Sequence, residues 1–299
     1  TNCCVENVII TGPMEIGISA QNASGLLLNN ILIQGSNVNN SIYGINVTGL
    51  NREIIISNVV IELLASQEGV AYGINLADVS ETVLRDITLL GIESFSGDVY
   101  GIMCDSSTIL IQDSIIDGVV AAASSAWGIL VNSSEAVVSN IKVRNVIAQQ
   151  SAVGIECRGS EVCAVADSLT ETIRGLNGTS TGIFLNNAAF SLVIDCIARD
   201  ITDKGIVLNG SIENAVKNCQ VFSCGTGGID INSAALVDSC AAVNCGGVGI
   251  LDVVGTNTVT NCYASQNTTN YSGITTVYSV GSPVLAGLPS VVSPDRVTL

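Results

Sequence analysis

A Gly-Ile pair recurs along the whole chain, at Gly17-Ile18, Gly44-Ile45, Gly73-Ile74, Gly101-Ile102, Gly128-Ile129, Gly154-Ile155, Gly182-Ile183, Gly205-Ile206, Gly228-Ile229, Gly249-Ile250 and Gly273-Ile274. Successive pairs stand 27, 29, 28, 27, 26, 28, 23, 23, 21 and 24 residues apart. A period of roughly 20–30 residues, rich in β-branched side chains, is the mark of a repeat architecture and leaves little room for an ordinary globular fold. No helical periodicity competes with it.

A second motif recurs with the same period: an aliphatic residue, a variable one, then a short polar one. It reads Val5/Asn7, Leu28/Asn30, Ile56/Asn58, Leu84/Asp86, Ile111/Asp113, Val138/Asn140, Val165/Asp167, Val193/Asp195, Val216/Asn218, Val237/Ser239 and Val259/Asn261. Asn and Asp tolerate left-handed backbone and bond their own neighbours, so the column predicts one tight turn per coil. A further apolar pair, such as Ile141 and Val143, follows each turn. Each coil is therefore read as a strand at Gly-Ile, a second strand ending at the Asn/Asp turn, and a third after it.

Stacked coils place equivalent residues about 4.8 Å apart as neighbours in a parallel sheet. The Ile column would then pack like on like in a dry core, each side chain contributing on the order of 1.5–3 kcal/mol. A charge at Ile129 should break that stack. This order of Gly-Ile strand, Asn turn and third strand resembles the right-handed parallel β-helix of the pectate lyase-like superfamily, over roughly residues 3 to 280. The expected fold is all-β, a right-handed β-solenoid of about eleven coils with three strands each. Residues 1–280 form the β-helix; residues 281–299, with Pro283, Pro289 and Pro294, form an extended C-terminal tail. A fold of this kind hosts many activities, so the resemblance bears on architecture more than on function.

The net charge is −16, from 26 acidic and 10 basic residues, and no basic cluster exists. Such a chain is a poor ligand for nucleic acid. No apolar run is long enough for a membrane span, so no insertion is expected. Only 12% of residues are charged and 47% are hydrophobic, so Ser, Thr, Asn and Gly must supply most of the wet surface. The start at Thr1-Asn2-Cys3-Cys4, in mid-coil and without Met, suggests a removed leader or a fragment, and with it an extracellular, cell-surface or virion-surface protein.

The chain contains no His, which removes Ser-His-Asp chemistry, a His base and His-bound metals. The His, paired-Asp and Arg-Ile-Lys motifs that the resemblance would imply for polygalacturonase-like hydrolases are absent. The nearest set to the acid cluster and cationic base of the related lyases is Asp195, Arg199, Asp200 and Asp203 with Lys204, which reads equally as a solvated turn. Glu156 and Asp230 share the outward column after Gly-Ile but stand three coils apart, about 14 Å, too far for glycoside hydrolysis. No catalytic residue, metal site or cofactor is therefore assigned, and the chain leans away from being an enzyme.

The remaining candidates lie on the surface. Tyr43, Tyr72, Tyr100 and Trp127 precede Gly in four successive coils. They form an aromatic column that could stack sugars or merely shield a turn. The outward column after Gly-Ile runs from Ser19 to Thr275 and includes the apolar Met103, Leu130, Phe184, Val207 and Leu251; the third strand adds Ile9, Leu32, Val60, Ile115, Leu169 and Ile197. Two exposed apolar stripes on a rod point to protein contacts. Eleven Cys include a core-facing column Cys196, Cys219, Cys240 and Cys262, the pair Cys224 and Cys245, and Cys104 and Cys157. Buried thiols, disulfides between adjacent coils, and a Cys4 metal site from Cys219, Cys224, Cys240 and Cys245 are the alternatives, the last explained away by the repeat. Eight Asn-x-Ser/Thr sequons occur, at Asn22, Asn39, Asn46, Asn132, Asn177, Asn209, Asn267 and Asn270.

The expectation is a non-catalytic structural or adhesive β-solenoid. It would be a subunit of an extracellular or virion assembly, such as a fibre built by end-to-end or lateral packing, with further copies of itself or other surface proteins as partners. The alternative is a carbohydrate-binding or polysaccharide-degrading pectate lyase-like protein, tailspike-like, with a site between subunits and glycans as partners.

Overall fold

The computed structural model describes residues 2–210, 213–255, 257–274 and 276–278. Among them there is no helix, and the strand pairings that link successive coils are parallel. The strand Ile42–Ser66 is one whole coil: its first part pairs in a first sheet, residues 52–57 in a second and residues 59–66 in a third. The strands Ala71–Ser94, Val99–Ala121 and Ala126–Ala148 repeat this pattern. The molecule is a parallel β-solenoid whose core runs along its axis.

In the first sheet Ile18, Ile45, Ile74, Ile102, Ile129, Ile155, Ile183, Ile206, Ile229 and Ile250 lie in register. From Ile45 onward they are fully buried. The partner of Ile250 in the next coil is Tyr271, not Ile274. Gly273, with φ 74°, is a turn residue three positions out of the Gly-Ile register, and Ser272 takes the outward place expected of Thr275. Thr275 and the tail 281–299 lie outside the described residues.

The repeated Gly of the first sheet answers to space rather than to backbone freedom. A Cβ on Gly44 would sit 2.6 Å from the carbonyl oxygen of Gly73 and 2.8 Å from Ile61 Cδ1. The same two obstacles, the next coil's carbonyl and a core side chain of the third sheet, meet Gly17, Gly73 and Gly101. Absence of a side chain lets the third sheet pack directly on the first.

All eleven residues of the Asn/Asp/Ser column have left-handed backbone, with φ between 49° and 58°. Several also bond along the axis, as Asn30 Nδ2 to Asn7 Oδ1 (2.6 Å) and Asn140 Nδ2 to Asp113 Oδ1 (2.7 Å). A second left-handed column stands five residues further on, at Gly35, Leu63, Gly91, Gly118, Asn145, Thr172 and onward to Gln266. Its mixed composition hid it from sequence reading. Leu63 is unusual there: it combines φ 59° with 63% exposure.

The core narrows along the rod. One inward position of the third sheet reads Ile33, Ile61, Leu89, Ile116, Val143, Thr170, Ala198, Val221, Ala242 and Ala264 in register. Cys196, Cys219, Cys240 and Cys262 occupy the inward place after the turn, at most 2% exposed. They and Cys104, Cys224 and Cys245 are buried free thiols, whereas Cys3 and Cys4 are exposed. The disulfide is Cys157–Cys163, closing a loop within one coil rather than joining adjacent coils. Burial pushes the Cys104 thiol up, and Cys196 is kept protonated by its hydrogen bond to Cys219 and by burial.

Candidate functional site

Three outward columns build the outer face of the first sheet. The first is Tyr43, Tyr72, Tyr100 and Trp127, continued by Val153, Thr181 and Lys204. Ring centroids are 4.8, 5.1 and 4.9 Å apart and planes differ by 6–9°. Isolated aromatic pairs prefer offset or edge-to-face arrangements. Here the coil spacing imposes the sandwich. Both faces of Tyr72 and Tyr100 are therefore covered by neighbouring rings, leaving edges outward, while sugar stacking needs a ring face. Burial first, with neighbouring phenol and Asp98 charge behind it, raises the Tyr72 and Tyr100 hydroxyls above their ordinary range.

The second column is Asn46, Asn75, Met103, Leu130, Glu156, Phe184, Val207, Asp230 and Leu251. Strand alternation predicts an exposed stripe, but Leu130 (4%), Glu156 (2%), Val207 (6%) and Asp230 (2%) are buried, and Met103, Phe184 and Leu251 are half-buried. The column is the floor of a trough whose walls are the first column and a third one, Asn132, Arg158, Asn186, Asn209 and Asn232. Of the proposed contact residues, Leu130 and Val207 are thus not presented to a partner. The third-sheet stripe is interrupted by Thr88, Lys142 and Gln220, although Ile9 is 71% exposed.

Glu156 anchors the trough. It accepts hydrogen bonds from Trp127 Nε1 (2.7 Å), Arg158 Nε (3.0 Å) and Asn186 Nδ2 (3.1 Å). Two coils beyond Phe184, Asp230 pairs with Lys204 Nζ at 2.7 Å. Between them opens a groove of about 290 Å³, lined chiefly by Thr181, Phe184, Asp203, Lys204, Asn209 and Asn232. Sequence reading missed Arg158 and Asn186. Arg158 was within reach, because period-two alternation puts it on the same face as Glu156.

The five-residue set Asp195, Arg199, Asp200, Asp203 and Lys204 is dispersed. Asp195 and Asp200 hold left-handed turns (φ 54° and 55°), and Arg199 pairs with Glu171 on the third sheet at 2.8 Å. Asp203 and Lys204 alone reach the groove, where Asp203 accepts the Ser180 amide at 2.6 Å. Among the described residues no group of three or more Cys, Asp or Glu is arranged to hold a metal ion, the Cys4 set included. Of the sequons, Asn22, Asn39, Asn132 and Asn177 are exposed, whereas Asn46 accepts from Asn75 and Asn267 donates to the Ala242 carbonyl.

A family model described as a right-handed beta helix region matches residues 127–284, more than half of the chain. The chain belongs to the right-handed β-helix family. This agrees with the likeness to the pectate lyase-like fold, and it concerns architecture alone. No curated protein and no solved structure matches the chain. In this right-handed β-helix the three sheets, the aromatic stack and the trough are the features from which function must be argued.

Proposed function

We propose that this β-helix is a non-catalytic structural or adhesive rod, a subunit of an extracellular or virion-surface assembly. The observation that carries the reading is the state of the two acids on the trough floor. Both oxygens of Glu156 are engaged by three donors and Asp230 Oδ2 is held by Lys204, so each acid is tied into a structural contact. They also stand three coils apart, about 14 Å, beyond the ~9.5 Å limit of inverting hydrolysis. The Cys157–Cys163 disulfide supports an oxidising compartment. Reducing-sugar release from a polysaccharide panel, measured beside electron microscopy of the native protein, tests the reading. Particles of several subunits without turnover support it; turnover lost in Glu156→Gln overturns it.

A second reading, glycan binding, is favoured by the groove around Phe184, whose amides from Asn209 and Asn232 suit hydroxyl recognition. A glycan array in which wild type binds and Phe184→Ala does not would favour it over the first.

A further inference from the structure

The second sheet carries the longest apolar feature on the surface. Its outward column runs in register through Leu27, Ile55, Val83, Leu110 and Val137 to Leu236, and every position between Val137 and Leu236 is alanine or leucine. Nine coils contribute, so the stripe is about 38 Å long at ~4.8 Å per coil. Ile55 and Val137 are 40% and 42% exposed. Among the described residues neither of the other sheets has an unbroken counterpart.

Both edges of the stripe carry acidic residues, interrupted on the first-sheet side by Thr108 and by the exposed Val162 and Phe190. On the side facing the first sheet stand the exposed Glu53, Glu81, Glu135 and Glu213. On the other side the turn column supplies the exposed Asp86, Asp113, Asp167 and Asp195. With Asp238 this makes nine carboxylates on the face, against the cations Arg52, Arg85 and Lys217. The two edges are five residues apart along a strand, as from Glu81 to Asp86, which is roughly 16 Å.

We propose that this face docks a cationic amphipathic helix of a partner protein, laid along the rod. A helix about 10–12 Å across fits between the edges, its apolar side on the stripe and its Lys or Arg residues reaching a carboxylate on either flank. Spanning the stripe takes about 25 residues at ~1.5 Å each. A second copy of this chain is disfavoured as occupant, because two such faces would bring like charge against like. The proposal concerns a different face from the trough and goes beyond the structural reading above.

The test uses a synthetic helix of about 25 residues with Leu along one side and Lys on both flanks. Its controls are a scrambled peptide of the same composition and a version with Glu for Lys. Titration by fluorescence anisotropy at low and physiological salt should show the amphipathic peptide binding about tenfold or more tightly than the scramble, and the Glu version not binding. Val137→Lys should weaken binding about tenfold and the milder Val137→Thr a few-fold, while Glu81→Gln with Glu135→Gln should flatten the salt dependence. Unchanged melting temperatures would show that the variants fold. Equal binding of the scramble, or no effect of Val137→Lys, would overturn the proposal. So would ultracentrifugation of the chain alone showing a dimer that Val137→Lys dissociates.

Discussion

The coils between residues 42 and 148 and those between 180 and 272 share one ladder but are built differently. In the first region each strand runs unbroken through a coil, 23 to 25 residues in Ile42–Ser66, Val99–Ala121 and Ala126–Ala148. In the second the strands shrink to pieces such as Gly227–Asn232, Ala235–Asp238 and Ala241–Val243. Coil length falls by several residues, and the enclosed side chains fall with it, from Ile61 and Leu89 to Ala242 and Ala264. Cys219 and Cys240 replace the Val59 and Ile87 of the wider coils at the inward place after the turn. Cross-section is thus set by coil length, and core volume is matched to it coil by coil.

Replacement of a ladder isoleucine by a charge tests what the two regions share. Ile129→Asp and Ile229→Asp should each cost more than about 4 kcal/mol, since no partner is at hand for a buried carboxylate. Chemical denaturation should show the native baseline lost in both. Exchanging core volumes tests what separates the regions. Ile61→Ala should cost about 2–5 kcal/mol through a cavity, and Ala242→Ile about 1–3 kcal/mol through overpacking, because Ala242 Cβ already lies 2.8 Å from where a Cβ on Gly228 would be. A stabilising Ala242→Ile would break the account of the narrow region.

A smaller effect is expected at the second turn column. Leu63→Gly should stabilise by about 0.5–1 kcal/mol, since the left-handed backbone strains leucine and its side chain is mostly in water. Thiol chemistry then separates surface from core without altering stability. Native protein should take alkylating label at Cys3 and Cys4, unfolded protein at all nine free thiols, and reduced unfolded protein at eleven. Rapid native labelling of Cys219 or Cys240 would mean that the narrow core opens.

The least effect is electrostatic. Hydrogen bonds from Thr260 (2.6 Å) and then Asn261 (3.0 Å) hold the Asp238 carboxyl below its ordinary value of 3.8. The folded state thus favours the carboxylate, and its contribution is present above that value and lost as pH falls through the lower folded one. Melting curves of Thr260→Val should show a shallower acid decline below about pH 4 than wild type.

Much of this architecture was legible because stacking repeats each constraint in sequence. Gly44, Ile45 and Asn58 are determined by position in a coil, so their types recur and can be read without a structure. What recurs by conformation but not by residue type was hidden, as at Leu63, Thr172 and Gln266 in the second turn column. Gly273 misled for the converse reason: it offers the right dipeptide at a turn, while Tyr271 fills the core. The trough was half legible. Glu156 and Asp230 stood out as outward acids, but their partners Trp127, Asn186 and Lys204 come from other coils, and lateral contacts of that kind need the register. The apolar column of the second sheet stands three residues before each turn from Asn30 to Ser239, and was masked by the more regular aliphatic residue beside it.

As proposed above, this right-handed β-helix works as an assembling rod and not as an enzyme. Light scattering of the purified 299-residue chain over a range of concentrations, with electron microscopy of the same sample, tests it most directly. The account predicts masses that are multiples of 30.7 kDa and particles in which rods pack together. A single 30.7 kDa species at every concentration, with polysaccharide turnover in the same preparation, would contradict it.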